Sequence, residues 1–368
     1  MKVISVFGTR PEAIKMAPLV KLLEQEPGID SQIVVTAQHR EMLDQVLKLF
    51  EIEPDYDLNI MKQGQTLADI TAAVLQETVK IFTVEKPDLV LVHGDTTTTF
   101  AASLAAFYAR VPCGHVEAGL RSGDKYAPYP EEINRCLTGV IADYHFAPTV
   151  KAQENLLVEK VPAERIVVTG NTVIDALLQV IEKDCDLSEH GLSAVNWQKE
   201  VILLTCHRRE NWGQPMQQIF AAISEVVEEN PQVEVVFPVH KNPLVRETAQ
   251  KYLSHNPRIH LIEPLDYLPF AQVMNKAKIV VTDSGGLQEE APALGKPVLV
   301  LREVTERPEA VKAGTAKLIG VKKADVKEGI NLLLHDKETY HRMAQAINPF
   351  GSGQASKQIV AAIGKYFS

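Results

Sequence analysis

Cysteine is scarce: four residues, Cys113, Cys136, Cys185 and Cys206, are scattered along the 368-residue chain with no C-x-x-C pair. Neither a zinc site nor a disulfide framework follows from that spacing, so reduced thiols, no metal and a cytoplasmic setting are expected. Long apolar runs are also missing. The opening MKVISVFGTRPEA has one lysine and an apolar stretch that stops at Gly8, too short for a signal peptide. No run reaches the length of a membrane span. Positive charge is not in excess: the formal net charge is −9. That argues against a broad nucleic-acid-binding face, while leaving room for a locally basic pocket around a small anion. Two Gly-rich signatures are absent as well. There is no G-x-G-x-x-G dinucleotide fingerprint and no G-x-x-x-x-G-K-[ST] phosphate loop, so no cofactor is expected and ATP chemistry is disfavoured.

What is present is an alternation. Hydrophobic residues make up 45% and charged residues 23%, enough to build two cores in a chain of this length. Short β-branched runs at Val3–Phe7, Gln32–Thr36, Asp88–His93, Cys113–Val116, Tyr144–Ala147 and Ile166–Thr169 are separated by helical patterns such as Thr66–Lys80 and Glu131–Ile141. Many are apolar without alternation, as parallel strands covered on both faces should be. The rhythm breaks at the polar stretch Asp175–Lys199, read as an interdomain crossing, and restarts with Val201–Thr205, Glu234–Pro238, His260–Ile262, Ile279–Thr282 and Pro297–Leu301. A final helix is expected over Gln354–Phe367, after a turn-like Asn348-Pro-Phe-Gly-Ser-Gly. The reading is α/β, with domains over residues 1–175 and 176–353 and a terminal helix over 354–368.

Chemistry in such sheets gathers beyond the C-terminal strand ends. Gly8-Thr-Arg-Pro-Glu-Ala-Ile-Lys15 follows the first strand, with Gly8 read as permitting a sharp turn. Arg10 and Lys15 lie near a helix N-terminus, where an anion is favoured, and no acidic partner is evident in the sequence. His93-Gly-Asp95 ends another strand, and one of Asp95 and the threonines after it should cap the next helix. In His115-Val-Glu117 alternation is expected to put both side chains on one side. It resembles a metal element but lacks its cysteine partners. Glu131 and Glu132 open a helix, where acids help in any case. His207, Arg208 and Arg209 crowd the loop after Val201–Thr205, and His240 ends Glu234–Pro238. Asp283-Ser-Gly-Gly-Leu-Gln-Glu-Glu290 offers main-chain N–H groups as a phosphate cradle, with Asp283 or Ser284 as a possible cap. Carboxylates Asp95, Glu117 and Glu131 in one domain and a phosphate cradle in the other suit a nucleotide sugar.

The segments GTRPEAIK, VHGDTTT, HVEAGLRS, PEEINR, HRREN, PVHKNP, TDSGGLQEEAP and LREVTERPE resemble, in order and over nearly the whole chain, the non-hydrolysing UDP-N-acetylglucosamine 2-epimerases. The resemblance implies the glycosyltransferase-B architecture: two Rossmann-like doubly wound parallel-sheet domains facing a cleft, with the terminal helix returning to the first domain. It implies a homodimer that interconverts UDP-N-acetylglucosamine and UDP-N-acetylmannosamine for cell-surface polysaccharides such as teichoic acid, with no nucleic-acid or membrane partner. Arg10, Lys15, His207, Ser284, Gly285, Gly286, Glu290 and Arg307 would line the UDP site, and Leu265 and Phe270 would hold the uracil. Asp95, Glu117, Glu131 and His207 would be the acid–base and stabilising groups. Gln38, His39, Arg208 and His240 match a second, activating site for UDP-N-acetylglucosamine in some relatives. The chain departs from that pattern at Glu41 and around Gln63-Gly64-Gln65, where relatives carry an arginine.

Elementary chemistry agrees with the implied route. The carbon 2 hydrogen of a pyranose is not acidic, because no carbonyl adjoins it. Without a dinucleotide for transient oxidation, the remaining route is departure of UDP, an unsaturated 2-acetamidoglucal intermediate, and re-addition with protonation from the other face. The rival readings are a retaining UDP-sugar glycosyltransferase of the same architecture, an epimerase that releases free sugar, and a non-catalytic UDP-sugar sensor.

Overall fold

A computed structural model of the chain describes residues 1–37, 40–62 and 64–367. It divides into two compact units, Met1–Gln179 with the segment from Phe350 onward, and Val180–Pro349. The first holds β1 (Lys2–Phe7), α1 (Arg10–Gln25), β2 (Asp30–Val35), α2 (Arg40–Phe50), β3 (Tyr56–Asp57), α3 (Leu67–Glu85), β4 (Leu89–His93), α4 (Thr97–Ala109), β5 (Cys113–Val116), α5 (Glu131–Ile141), β6 (Tyr144–Ala147), α6 (Val150–Val158), β7 (Ile166–Val168) and most of α7 (Thr172–Ile181). The second holds β8 (Glu200–Thr205), α8 (Gln214–Glu229), β9 (Val233–Pro238), α9 (Pro243–Leu253), β10 (Ile259–Ile262), α10 (Tyr267–Lys276), β11 (Ile279–Thr282), α11 (Leu287–Ala293), β12 (Val298–Val300), α12 (Pro308–Ala313), β13 (Ala316–Leu318), α13 (Lys323–His335) and α14 (Lys337–Ala344). The last helix, α15 (Ala355–Tyr366), belongs to the first unit.

Among the described residues the first sheet has strand order β3-β2-β1-β4-β5-β6-β7 and the second β10-β9-β8-β11-β12-β13. Adjacent strands run parallel throughout. Both are doubly wound, as the strand rhythm predicts. The central strands are apolar along their length because both faces are covered: Val3, Ile4, Val6, Phe7 and Leu89 through Val92 are fully buried. Each such side chain contributes about 1.5–3 kcal/mol by leaving water. In the second unit Ile202, Leu204, Phe220, Phe237, Ile279, Val281 and Leu299 form the matching core. Strands β3 and β13 escape the sequence reading. Both are edge strands of two or three residues, Tyr-Asp and Ala-Lys-Leu, with no β-branched run to mark them.

The polar stretch expected from Asp175 onward begins inside α7 instead. Ala176, Leu177 and Val180 are buried there, and Asp175 is no solvated side chain. Its carboxylate accepts the main-chain N–H groups of Ala355 at 3.1 Å and Ser356 at 2.9 Å, the first two residues of α15. The chain returns to this point through Gly351, whose φ of +111° suits glycine. A Cβ at Gly170 would meet the Phe350 carbonyl oxygen at 3.0 Å, so the two segments touch main chain to main chain. Buried Ile359 and Ile363 lie on α15, which packs against α1, and Tyr366 stacks on Tyr144 with ring centroids 4.1 Å apart.

Asp175 therefore supplies the N-terminal cap that α15 lacks in its own sequence. Asp175→Ala is expected to cost about 1–2 kcal/mol and to speed amide exchange in Ala355–Tyr366 ahead of the rest of the first unit. Exchange rising evenly over that unit would show that the cap does not hold this helix in particular.

Candidate active site

The strand order of the first sheet reverses direction between β1 and β4, the point where doubly wound sheets bind ligands. The loop after β1 is built tightly. A Cβ at Gly8 would lie 2.0 Å from Thr36 Oγ1 and 2.8 Å from Thr98 Oγ1. Glycine is therefore needed for space rather than for the turn. Thr9 caps α1 in a reciprocal box with Glu12, and Pro11 follows Arg10 at the second helical position. Glu12 is buried. Its Oε2 accepts from the Gly8 and Thr9 amides at 3.0 and 2.7 Å, and its Oε1 from the Thr96 and Thr99 hydroxyls at 2.6 and 3.0 Å. Burial raises its carboxyl pKa against those hydrogen bonds. One acid thus locks the β1–α1 turn to the β4–α4 turn, and Thr96, not Asp95, caps α4.

Lys15 does have an acidic partner, though a non-local one: its Nζ lies 2.5 Å from Glu117 Oε1. Asn171 Nδ2 donates to the same oxygen at 2.8 Å, and His93 Nε2 stands 3.5 Å from Glu117 Oε2. Strand alternation does not carry into this group. β5 ends at Val116, and Glu117 has φ +64°, a left-handed conformation that costs a non-glycine residue about 1 kcal/mol or more. His115 is fully buried with Nε2 2.7 Å from the Gly94 carbonyl oxygen, so it is committed to the β4 turn and does not pair with Glu117 as a metal element would. Arg10 is half-buried and has no ion pair or hydrogen bond among the described residues.

Asp95 forms an ion pair with Arg135 of α5, and its carbonyl oxygen accepts from Asn134 Nδ2 at 3.0 Å. Burial raises the Asp95 pKa, with Arg135 opposing and Glu117 adding to the rise. Glu131 begins the same helix, one turn before Arg135. Its Oε2 is buried and accepts no hydrogen bond among the described residues, an arrangement that costs about 1–3 kcal/mol and needs an explanation. Glu132 is a clamp: it accepts from the amides of Ser122 and Gly123 at 3.0 Å and takes a contact from Arg135 at 3.3 Å.

In the second unit the reversal falls between β8 and β11. Asp283, fully buried after β11, caps no helix. Its Oδ2 accepts from the amides of His207 and Arg208, both at 2.8 Å, and from Asn211 Nδ2 at 3.1 Å. His207 stacks on His240 with centroids 5.5 Å apart and planes 13° from parallel. Arg208 reaches Glu306 at 3.7 Å. The Ser284 amide donates to Thr282 Oγ1 at 2.9 Å, while those of Gly285 and Gly286 find no acceptor among the described residues. A Cβ at Gly286 would press on Glu290 Oε1 at 3.4 Å, and Tyr267 donates to Glu290 Oε2 at the same distance. Arg307 pairs with buried Glu289. Leu265 and Phe270 are half-buried at the start of the β10–α10 region. Gln38 and His39 lie outside the described residues.

The structure thus brings together Lys15, Asp95 and Glu117 in one unit, with Glu131 on the helix that holds Asp95, and His207, Arg208 and His240 in the other. Asn171, Arg135 and Asp283 are not among the site residues expected from the sequence, and His93 is expected there only as the neighbour of Asp95 at its strand end. His93 and Asp283 carried a signal, because each stands at a strand end. Asn171 and Arg135 carried little, because each acts through a partner 40 or more positions away.

The comparisons agree with one another. A family model described as UDP-N-acetylglucosamine 2-epimerase matches residues 21–364. The UDP-N-acetylglucosamine 2-epimerase of Salmonella typhimurium is 56% identical over 374 residues, covering 100% of this chain and 99% of the relative. That of Bacillus subtilis is 56% identical, covering 98% of this chain and 94% of the relative. The crystal structure of UDP-GlcNAc 2-epimerase from Neisseria meningitidis bound to UDP-GlcNAc superposes with a TM-score of 0.88 at 52% identity, covering 99% of this chain and 100% of that one.

Three buried histidines in this unit give a pH signature. Burial lowers the pKa of His93 to about 4, with Lys15 pushing the same way and Glu117 opposing. Burial likewise takes His115 to about 3 and His145 to about 4. Unfolded, each titrates near 6.5. The unfolded chain therefore binds these protons first, and their contribution to stability is full above about pH 6.5 and is lost as pH falls toward 4. Glu12, Asp95 and Asp175, whose carboxyl pKa values burial raises, work in the opposite direction. His145→Gln should flatten the fall of melting temperature across this window relative to the parent protein. Identical slopes would show that His145 takes up no proton on unfolding.

Proposed function

Because the chain belongs to the UDP-N-acetylglucosamine 2-epimerase family, we propose that it interconverts UDP-N-acetylglucosamine and UDP-N-acetylmannosamine, inverting carbon 2 without net release of sugar or UDP. It is an isomerase. No helix among the described residues is long and apolar enough to cross a membrane.

The observation that carries the mechanism is the gathering of Lys15, Asp95 and Glu117 at the C-terminal ends of β1, β4 and β5, with Glu131 on the helix tied to Asp95. Elimination breaks the bond from carbon 1 to the diphosphate oxygen, whose electron pair leaves with UDP. The carbon 2 proton passes to a carboxylate, and a double bond forms between carbons 1 and 2. Re-addition of UDP with protonation of the opposite face gives the other epimer. Two faces need two acid–base groups, and Asp95, Glu117 and Glu131 are the candidates, with His207 assisting the leaving group. Their settings differ in the way such roles require. Glu117 is held by Lys15 and Asn171, which favour the carboxylate, while burial pushes Asp95 toward the protonated acid. Arg10, Lys15, Ser284, Gly285, Gly286, Glu290 and Arg307 take the UDP, and Leu265 and Phe270 its uracil. The four cysteines form no disulfide, which suits a cytoplasmic enzyme supplying cell-surface polysaccharide synthesis. A homodimer would cover the exposed Phe107, Tyr108, Leu137 and Val140 on α4 and α5.

Incubation with UDP-N-acetylglucosamine in heavy water tests this reading by proton NMR. The carbon 2 proton signal should fade while the manno isomer grows with no net UDP. An unchanged spectrum, or free sugar accumulating in step with UDP, refutes it. Activation through Gln38, His39, Arg208 and His240 belongs to the same reading. It requires sigmoidal initial rates, and UDP-N-acetylmannosamine turnover that rises when UDP-N-acetylglucosamine is added. Hyperbolic curves with no such rise remove it.

A further inference from the structure

Asp283 has two differently employed oxygens. Oδ2 holds the His207–Arg208 turn through two main-chain amides and Asn211. Oδ1 is buried, completes no hydrogen bond among the described residues, and lies 3.3 Å from His207 Nδ1. An idle oxygen on a fully buried carboxylate is costly unless it has a task. The ring it faces is the one imidazole of the second unit assigned a role at the diphosphate. That ring is also held on its flat side by His240, whose Nδ1 is in turn fixed by the Asn242 amide at 3.1 Å. The main chain of His207 is pinned as well, its carbonyl oxygen accepting from Trp212 Nε1 at 3.2 Å.

We propose that Asp283 is a positioning residue that selects the Nδ1–H tautomer of His207 and aims its Nε2 at the departing diphosphate oxygen. The proposal rests on the epimerase reading for what Nε2 meets, but not for the tautomer itself. A carboxylate accepts and never donates when ionised, so the nitrogen it faces must carry hydrogen. Nε2 is then the atom that gains a proton to form the imidazolium and presents N–H to the oxygen that takes the bonding pair from carbon 1. When UDP returns, the same contact is released and the proton stays on the ring. The groups facing His207 pull in different directions. Burial lowers its pKa, the Asp283 charge raises it, and His240 and Arg208 lower it. Asp283 is therefore the group that favours the cation, the form that stabilises a leaving dianion.

The sequence hid this role because Asp283 opens a Ser-Gly-Gly turn and reads as a helix cap. In the structure Gly286 starts α11 with no side-chain cap, and Asp283 looks back across the sheet to β8.

The tautomer is measured on the unmodified protein, with uniform nitrogen-15 labelling and long-range proton–nitrogen correlation, the His207 signals being assigned by their loss in His207→Asn. A neutral ring protonated at Nδ1 is expected, and a ring protonated at Nε2 overturns the proposal. Asp283→Asn adds a second readout. Its oxygen can still accept the two amides, while its NH2 now faces Nδ1 and forces the opposite tautomer. We expect kcat to fall by roughly 10²-fold with KM changed little. The limb of the kcat profile that reports loss of the imidazolium should move to lower pH. A variant that only melts earlier, with an unmoved profile and the Nδ1–H tautomer retained, would show a structural role and refute the proposal. If the parent protein leaves UDP-N-acetylglucosamine untouched, the epimerase reading fails, and the tautomer result still judges the Asp283 assignment.

Discussion

Four buried carboxylates that each grip two consecutive main-chain N–H groups hold the functional loops of this protein in place. Glu12 grips Gly8 and Thr9, Glu132 grips Ser122 and Gly123, Asp175 grips Ala355 and Ser356, and Asp283 grips His207 and Arg208. The parallel sheet creates the need. Its strands are covered on both faces, so every reactive loop must leave from a strand end, where the main chain has unpaired amides. Water cannot serve amides that are buried, and a carboxylate can serve two at once. A hydrogen bond to a charged acceptor contributes about 1.5–3 kcal/mol, enough to keep an acid buried that would otherwise cost several. Three of the four clamps reach across the fold: Glu12 joins two neighbouring turns, Asp175 fixes a helix 180 residues further along, and Asp283 ties β11 to the turn after β8.

This device also explains which part of the site was legible in the sequence. The strand rhythm, the doubly wound order and the loops that matter follow from local patterns: apolar runs, Gly-containing turns, and unusual residues just past a strand. Asp95, Glu117 and His207 stand out for that reason, whereas Glu131, in the first turn of α5, is no more marked than Glu132 beside it. The clamps do not stand out, because an acid in the first turn of a helix looks the same whether it faces solvent or the interior. Glu12 and Glu132 sit in first helical turns, Asp175 in what looks like a polar crossing, and Asp283 in what looks like a cap. Only non-local pairing, such as Glu12 with Thr96 or Lys15 with Glu117, separates structural acids from reactive ones.

Satisfaction of hydrogen bonds then sorts the acids by role. Glu12 has both oxygens filled, and Glu132 has both in contact with Ser122, so neither has an oxygen to spare for substrate. Glu131 leaves Oε2 buried and unbonded, and Asp283 leaves Oδ1 so. His93, between them in kind, is buried with neither ring nitrogen hydrogen-bonded among the described residues. These unfilled positions lie at or beside the two points where the strand orders reverse.

The same distinction bears on how one scaffold separates proton removal from leaving-group departure. At the end of β5, Lys15 and Asn171 converge on a single oxygen of Glu117, fixing a carboxylate on a left-handed backbone just past the strand. At the end of β8, a carboxylate instead stands behind an imidazole and favours its cation. In the proposed elimination one arrangement would prepare an acceptor for a proton, the other a donor toward the departing anion. Elimination needs both, and reversal needs both to recover, so neither group can be consumed by a permanent partner that competes with substrate. In that proposed route Lys15 is the partner that would yield, since a diphosphate can replace Glu117 as its anionic partner. Substrate binding that draws Lys15 to phosphate would then free Glu117 Oε1 to strengthen as a base when the sugar is in place.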